Sequence, residues 1–257
     1  MARNVQDDRI YFYLHGFASS PNSAKGKLLQ NRWIQLGHNL CRPDLNAGDF
    51  AHLTLTRQIQ QVRSLIRSVS DPTVRPQTVR NQTVNNSMPE PTSPIAPPLY
   101  SSTSTKTAPA VTLIGSSLGG LIAAWVGECC PQVDRLILLA PAFGFLHHWL
   151  PKIQDPSLEE WRSQQWRSVY HYGTQRNEPL HYDFVVDLQQ YDETQLQRAI
   201  PTLIVHGRQD EVIPIQASQT FAAQRSYVEL VELEDDHALA QIPEASWQKI
   251  EQFSGAS

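Results

Sequence analysis

The chain has 257 residues, of which 40% are hydrophobic and 18% are charged, and its formal net charge is −4. This length suits one large domain with an extensive core, and the slightly acidic charge excludes the positive field that a nucleic acid partner needs. No apolar stretch reaches the length of a secretory signal or a membrane span, and the three cysteines suit reduced thiols. We therefore expect a cytoplasmic protein without a membrane span.

The first part of the chain alternates strands and helices. An apolar run over 10–14 predicts a short buried strand, and the spacing of Leu29 and Trp33 predicts the helix that follows it. A second strand is expected over 38–42. The next helix carries one apolar stripe, formed by Leu55, Ile59, Val62 and Ile66.

Residues 70–109 interrupt this alternation. The segment consists mainly of Pro, Ser, Thr, Asn and Gln and has few large apolar side chains. Such a composition cannot bury enough surface to offset the loss of chain entropy on folding. We therefore interpret 70–109 as a low-complexity, disordered insertion within a single domain that spans 1–257.

The alternation returns after the insertion and, apart from residues 143–195, continues through the rest of the chain. The apolar pattern predicts a strand at 111–114, a helix at 117–129 and a strand at 133–139. Strands at 201–206 and 227–233 and helices at 214–224 and 238–253 complete the predicted elements.

An aromatic-rich segment at 143–195 separates these two groups of elements. A helix that begins near Ser157 would place Trp161, Trp166 and Tyr170 within one half of its circumference. We expect this segment to form a helical lid or cap, whose aromatic side chains either line an apolar acyl pocket or form the core of the cap.

Strands that alternate with helices predict a mainly parallel central sheet with helices on both faces. Ligands of such sheets bind beyond the carboxyl ends of the strands. The sequence places several polar side chains at those ends, namely His15, Ser117, Asp210 and His237.

The residues Gly115-Ser116-Ser117-Leu118-Gly119 match the pattern G-x-S-x-G. In this pattern the central serine stands on a tight turn between a strand and a helix, and the glycines leave room for that turn. Because a predicted strand precedes the motif and a predicted helix follows it, we expect Ser117 to be a nucleophile. Ser116 is then a small spacer.

A serine nucleophile needs a histidine base that a carboxylate orients. Asp210 follows the strand at 201–206, and His237 follows the strand at 227–233, so the chain order is Ser, Asp, His, as in hydrolases of this type. Asp235 and Asp236 remain alternatives for the acid. We expect His206 to serve a turn, and no histidine shows metal-ligand spacing.

Acyl transfer also needs hydrogen-bond donors for the developing oxyanion. The backbone N–H of Leu118, one residue past the nucleophile, is one candidate, and the N–H of Phe17 after the first strand is the other. We expect His15 to brace this loop and not to transfer protons.

The combination of Tyr13-Leu-His-Gly-Phe-Ala-Ser-Ser-Pro-Asn-Ser-Ala-Lys25 with Gly115-Ser-Ser-Leu-Gly-Gly120, Ala140-Pro-Ala142 and Asp236-His-Ala238 resembles the small YqiA-like esterases of bacteria. This family belongs to the α/β-hydrolase superfamily. The resemblance implies a serine esterase or thioesterase with Ser117 as nucleophile, Asp210 as acid and His237 as base. The segments 70–109 and 143–195 depart from the compact family pattern.

The sequence therefore predicts an α/β-hydrolase fold and a serine hydrolase that cleaves small acyl esters or thioesters without a cofactor or metal. The alternative is a catalytically silent protein of the same fold that binds a ligand or a partner. The sequence leaves the substrate-binding residues and the oligomeric state open.

Overall fold

The structure, a computed structural model, describes residues 9–70, 109–153 and 157–256. The predicted insertion at 70–109 lies outside the described residues apart from its two ends. Within the described ranges, no helix combines the length and the apolar character needed to cross a bilayer.

The described residues form eight strands, which are β1 (Ile10–Leu14), β2 (Leu40–Cys41), β3 (Val111–Ser116), β4 (Val133–Leu139), β5 (Trp166–His171), β6 (Arg176–His181), β7 (Thr202–Gly207) and β8 (Val228–Leu233). Six of them lie parallel in one sheet, in the order β2-β1-β3-β4-β7-β8. The strand order reverses direction at β1, which lies between β2 and β3. In sheets of this kind, such a reversal opens a crevice at the carboxyl ends of the strands.

The same residues form eight α-helices, which are α1 (Ala24–Gln35), α2 (Leu55–Ser70), α3 (Leu118–Cys129), α4 (Phe145–Trp149), α5 (Leu158–Gln164), α6 (Asp183–Leu188), α7 (Ile215–Ala223) and α8 (Glu244–Ser254). Successive side chains of a strand point to opposite faces of the sheet. Helices cover both faces, so side chains on each face are buried. In β1, Phe12 and Leu14 pack with α2 and α3, whereas Tyr11 and Tyr13 pack with α1 and α8. The predicted layers of an α/β-hydrolase fold are therefore confirmed.

Outside the segment 143–195, the predicted elements match the structure in type and differ at some ends. Strands β1 and β4 have the predicted bounds. The last helix begins at Glu244 and not at residue 238, because Pro243 lies before its first turn. Proline lacks a backbone N–H and clashes with the preceding turn, so a helix through this position would break there.

The aromatic-rich segment 143–195 combines short helices with a β-hairpin. Helix α5 begins after Ser157, whose hydroxyl accepts a hydrogen bond from the Glu160 N–H at 3.2 Å. The predicted continuation of this helix past Gln164 was wrong, because Gln165 takes a left-handed φ of 64° and the chain then pairs as β5 with β6. Aromatic and β-branched residues favour such a strand, and the antiparallel partner supplies its backbone hydrogen bonds.

Candidate functional site

A tight turn at Ser117 joins β3 to α3. Ser117 has φ 54° and ψ −121°, a strained backbone conformation for a residue with a side chain. A Cβ on Gly119 would collide with the Leu14 carbonyl oxygen, and one on Gly115 would collide with the Gly119 carbonyl oxygen. The two glycines of the motif therefore let helix, strand and β1 approach closely enough to hold this turn.

His237 meets Ser117 from the loop that follows β8. The Nε2 atom of His237 lies 3.0 Å from Ser117 Oγ, and its Nδ1 atom lies 2.7 Å from Asp210 Oδ2. The imidazole therefore bridges a hydroxyl and a carboxylate, two groups that lie 93 residues apart along the chain (Ser117 and Asp210).

Within the described residues, the structure shows no hydrogen bond between the His237 ring and either of the other two acidic candidates, Asp235 and Asp236. Asp236 accepts a hydrogen bond from the Ala238 N–H at 2.8 Å, and Asp235 accepts one from the Gln241 N–H at 2.9 Å. Both carboxylates therefore stabilise the loop that carries His237, and the acid beside the ring is Asp210.

Two loops are tied together around this histidine. The Gln209 N–H donates to the Asp235 carbonyl oxygen at 3.0 Å, and a Cβ on Gly207 would overlap with the Asp235 backbone. The turn that carries Asp210 and the loop that carries His237 are thus packed backbone to backbone. This close packing holds the carboxylate and the imidazole within hydrogen-bond distance.

The Asp210 carboxylate is fully paired. Its Oδ1 atom accepts from the N–H groups of Val212 and Ile213 at 2.8 Å each, and its Oδ2 atom accepts from His206 and His237. Burial alone would raise the pKa of Asp210, but the hydrogen bonds from the two histidines, the charge of His237 and the Ile213 N–H hold that pKa far below its usual range. Asp210 is therefore a carboxylate at neutral pH.

The loop after β1 lies against the nucleophile turn. A Cβ on Gly16 would come within 3.2 Å of Ser117 Cβ, so the backbone of this loop approaches Ser117 closely. His15 accepts a hydrogen bond from the Leu45 N–H at Nε2, at 2.9 Å, and its Nδ1 donates to the Gly16 carbonyl oxygen at 2.9 Å. The predicted bracing role of His15 is confirmed by these two contacts.

The two predicted oxyanion donors border the same turn. Phe17 follows Gly16 in this loop, and Leu118 is the first residue of α3. The N–H groups of a first helical turn have no partner within their own helix, and they carry the positive end of the helix dipole. The backbone around Ser117 can thus offer hydrogen-bond donors to an anion.

Sequence reasoning missed Lys25 as a neighbour of this turn. Its Nζ donates to Ser116 Oγ at 3.0 Å. Burial lowers the pKa of Lys25 to about 8, although Asp210, Asp235 and Asp236 act in the opposite direction. Lys25 ends the sequence stretch that carries the family resemblance, but no spacing rule connects it to Ser116.

His206 lies at the end of β7 and contacts both the turn that follows this strand and the Asp210 carboxylate. Its side chain is fully buried, and its Nε2 atom lies 3.0 Å from Asp210 Oδ2. The sequence predicts that His206 serves a turn, and it does contact the turn that follows β7, because the same Nε2 atom lies 3.0 Å from the Ile213 carbonyl oxygen. Sequence reasoning missed its contact with the Asp210 carboxylate. The spacing of His206 and Asp210, four residues apart, was the signal available in the sequence.

Aromatic rings surround the loop that carries Phe17. The Phe17 ring stacks on Phe184 at 5.0 Å between centroids, and it lies 5.3 Å from Trp149 and 5.7 Å from Phe50. Phe184 and Trp149 belong to the segment 143–195. This segment therefore packs directly on the loop beside the nucleophile turn.

A cavity of about 190 Å³ lies next to α3, between this helix and the segment 143–195. Its lining contains apolar residues such as Leu121, Phe145 and Leu188, together with Glu193. The lining includes neither Ser117 nor His237. The cavity is thus separate from the group of Ser117, His237 and Asp210.

Glu193 connects the end of the segment 143–195 to its start, and this connection predicts a pH-dependent stability. Its Oε1 atom accepts from the Gly144 N–H at 2.8 Å, and burial raises the pKa of Glu193 to about 7. Because the folded state binds this proton more tightly than the unfolded chain does, the stabilisation present at low pH is lost as the pH rises through 7.

We expect Glu193→Gln, which keeps the acceptor and removes the charge, to raise the melting temperature at pH 8.5 by about 2–4 °C and to change it little at pH 5. Thermal melts from pH 5 to 8.5 measure this, with the exposed Glu159→Gln as the charge-matched control. An equal shift at both pH values would contradict the assignment.

Among the residues that the structure describes, no three His, Cys, Asp or Glu side chains converge as metal ligands.

The sheet order, the strand-to-helix turn at Ser117 and the three loops at the carboxyl edge define an α/β-hydrolase fold. Known structures share this fold. Est1E from Butyrivibrio proteoclasticus, in a structure with ferulic acid bound, has a TM-score of 0.71 at 18% identity, over 97% of this chain and 90% of that one.

Alpha/beta hydrolase domain-containing protein 10 from mouse has a TM-score of 0.65 at 18% identity, over 95% of this chain and 88% of that one. The esterase Pf2001 from Pyrococcus furiosus has a TM-score of 0.60 at 13% identity, over 96% and 82% of the two chains. At these identities the likeness establishes the fold. No curated protein matches the sequence significantly.

The family model described as uncharacterised protein family UPF0227 matches residues 10–74 and 77–254. These ranges cover most of the chain, and the chain belongs to this family, the YqiA-like esterase family that its sequence motifs resemble.

Proposed function

We propose that this chain is a serine carboxylesterase or acyl-thioesterase whose catalytic residues are Ser117, His237 and Asp210. The observation that carries the proposal is the 3.0 Å contact between Ser117 Oγ and His237 Nε2 at a strained strand-to-helix turn. The esterases among the known structures of the same fold are consistent with this reaction class.

The hydrogen bonds of His237 define which of its nitrogens is the base. Asp210 is a carboxylate and can only accept, so the Nδ1 atom of His237 carries a hydrogen and donates it at 2.7 Å. In the neutral ring the lone pair then lies on Nε2, which faces Ser117 Oγ. His237 can thus take the serine proton.

The proposed reaction has two stages. In the first, Nε2 of His237 removes the Ser117 proton, the serine oxygen attacks the acyl carbonyl carbon, and the imidazolium then protonates the departing alcohol or thiol. In the second, His237 removes a proton from water, the hydroxide oxygen attacks the acyl-enzyme, and Ser117 Oγ leaves with that proton. Asp210 orients the ring and stabilises its charged form in both stages.

The N–H groups of Phe17 and Leu118 are the proposed donors to the oxyanion that forms on the carbonyl oxygen in each stage. The close approach of Gly16 to Ser117 supports this, because Phe17 is the next residue of that loop and Leu118 follows the nucleophile. Donors that are fixed by backbone need no rearrangement when charge develops, and such preorganisation is worth about 10²–10³ in rate per donor.

The segment 143–195 is the proposed lid over an apolar acyl site. The contacts of Phe17 with Phe184 and Trp149 support this, because they place aromatic rings next to a proposed oxyanion donor. The substrate in the proposal is a small acyl ester or thioester, and the cysteine usage supports a cytoplasmic location.

A panel of p-nitrophenyl esters and acyl-thioesters from acetyl to decanoyl tests the proposal. We expect hydrolysis with kcat/KM rising beyond acetyl, because each methylene buried in an apolar site contributes about 0.8 kcal/mol. A rate that is highest for acetyl and flat above it would remove the acyl site from the proposal. Folded wild-type protein that hydrolyses no substrate of the panel would favour the ligand-binding alternative.

A further inference from the structure

A second buried histidine shares the carboxylate of Asp210 with His237. His206, at the end of β7, has its Nε2 atom 3.0 Å from Asp210 Oδ2, the oxygen that also accepts from His237. The same nitrogen lies 3.0 Å from the carbonyl oxygen of Ile213. On the other side of the ring, Nδ1 lies 2.7 Å from the hydroxyl oxygen of Ser218, in α7.

These contacts define the proton positions on the His206 ring. A carboxylate and a carbonyl can only accept, so the Nε2 atom of His206 carries a hydrogen and donates it. The Ser218 hydroxyl can donate or accept, and it is buried with no exposed fraction. When Ser218 donates to Nδ1, the His206 ring is neutral and all its polar atoms are paired.

The charge of His206 matters for the proposed reaction. A cationic His206 would neutralise Asp210 and weaken the stabilisation of the His237 imidazolium that forms in both stages. A neutral His206 orients the same carboxylate by a hydrogen bond and leaves its negative charge to His237. When the Ser218 hydroxyl donates to Nδ1 it favours the neutral ring, because its proton then occupies the site that a second imidazole proton would take.

We infer that His206 and Ser218 are a positioning pair, in which Ser218 holds His206 as the neutral Nε2–H tautomer and His206 orients Asp210 toward His237. This inference rests on the proposed function of Asp210 and His237. Neither His206 nor Ser218 touches the reacting atoms, so both act through the carboxylate.

The charged and titratable groups around this pair come from several elements. Lys25 of α1 and His148 of α4 interact with Asp210, and Glu232 of β8 interacts with His206. Asp235 and Asp236 lie near Lys25 in the loop that carries His237. Substitutions at His206 and Ser218 leave all of these groups in place, so changes in pH dependence report on the pair.

The kinetic test compares His206→Ala, His206→Gln and Ser218→Ala, with the exposed Thr220→Ala in the same helix as the matched hydroxyl control. Loss of a hydrogen bond to a charged group predicts a fall of about 10–100-fold in kcat for His206→Ala. Without this donor Asp210 attracts the imidazolium more strongly, so the acidic limb of the kcat/KM profile moves to higher pH. His206→Gln retains an N–H donor, so we expect its kcat and the position of its acidic limb to lie close to the wild-type values.

Ser218 is expected to act only through His206. Ser218→Ala should lower kcat in the wild-type background and change nothing further in the His206→Ala background, as a double-mutant cycle measures. Unchanged kcat and an unchanged pH profile in folded His206→Gln, His206→Ala and Ser218→Ala would overturn the pair while the esterase proposal stands.

A readout independent of turnover separates the two proposals. In a two-dimensional ¹H–¹⁵N spectrum of histidine-labelled wild-type protein at pH 7, we expect His206 as the neutral Nε2–H tautomer. A charged ring or the Nδ1–H tautomer would overturn the positioning pair whether or not the protein hydrolyses esters. If His206 of the wild-type protein shows the expected tautomer but the protein hydrolyses no ester, only the esterase role is overturned.

Discussion

Ser117→Ala is expected to lower kcat for acyl ester hydrolysis by about 10⁴-fold or more, whereas Ser116→Ala stays within about 10-fold of wild type. The reason is that only the Ser117 hydroxyl lies 3.0 Å from the imidazole that can take its proton. The Ser116 hydroxyl instead accepts a hydrogen bond from Lys25 Nζ at 3.0 Å. The adjacent serines therefore form a matched pair that differs in the proposed nucleophile alone.

Steady-state kinetics on one acyl ester, with thermal melts to verify folding, measure this difference. The retained activity of Ser116→Ala controls for general disturbance of the turn. An active Ser117→Ala protein, or an inactive but folded Ser116→Ala protein, would show that the nucleophile has been assigned to the wrong serine.

Gly119→Ala is expected to destabilise the fold by about 3 kcal/mol or more, or to prevent folding altogether. The added Cβ would collide with the carbonyl oxygens of Leu14 and His15, which belong to the backbone at the end of β1. The backbone at a strand end cannot move aside as a flexible side chain can. The substitution therefore forces α3 away from β1 and spreads the turn at Ser117.

Gly127→Ala in the same helix is the matched control. Its Cβ would come within 2.9 Å of a methyl group of Ile200 and 3.4 Å of Leu136, both of which are side-chain atoms that can adjust. Alanine also has a better helix propensity than glycine by about 1 kcal/mol. We expect chemical denaturation to show a small change for Gly127→Ala and a large loss for Gly119→Ala, and equal losses would contradict the steric argument.

The predictions from sequence were strongest where a local pattern has a single structural meaning. The apolar run of β1 and the branched run of β4 have the predicted bounds, because a short apolar segment between turn residues has few alternatives to a buried strand. The glycines around Ser117 predicted its strained turn, because the pattern G-x-S-x-G between a strand and a helix is typical of such a turn. The chain order of Ser117, Asp210 and His237 then followed from the order of the strands.

Prediction from sequence was weaker where contacts between distant segments decide the structure. The residues after Gln164 fit a helix or a strand equally well by periodicity, and pairing of β5 with β6 selects the strand. The contacts of His206 with Ser218 and of Lys25 with Ser116 depend on how helices dock against strand ends. No local pattern encodes such docking, so these residues had to be found in the structure.

Labelling by a fluorophosphonate probe followed by peptide mass spectrometry tests directly whether Ser117 is an activated nucleophile. A fluorophosphonate forms a bond to a serine oxygen only when a neighbouring base activates that hydroxyl. We predict one adduct, on Ser117, in wild type and in Ser116→Ala, and little or no adduct in Ser117→Ala and His237→Ala. An adduct on Ser116, or folded wild-type protein that carries no adduct, would show that Ser117 is not an activated nucleophile.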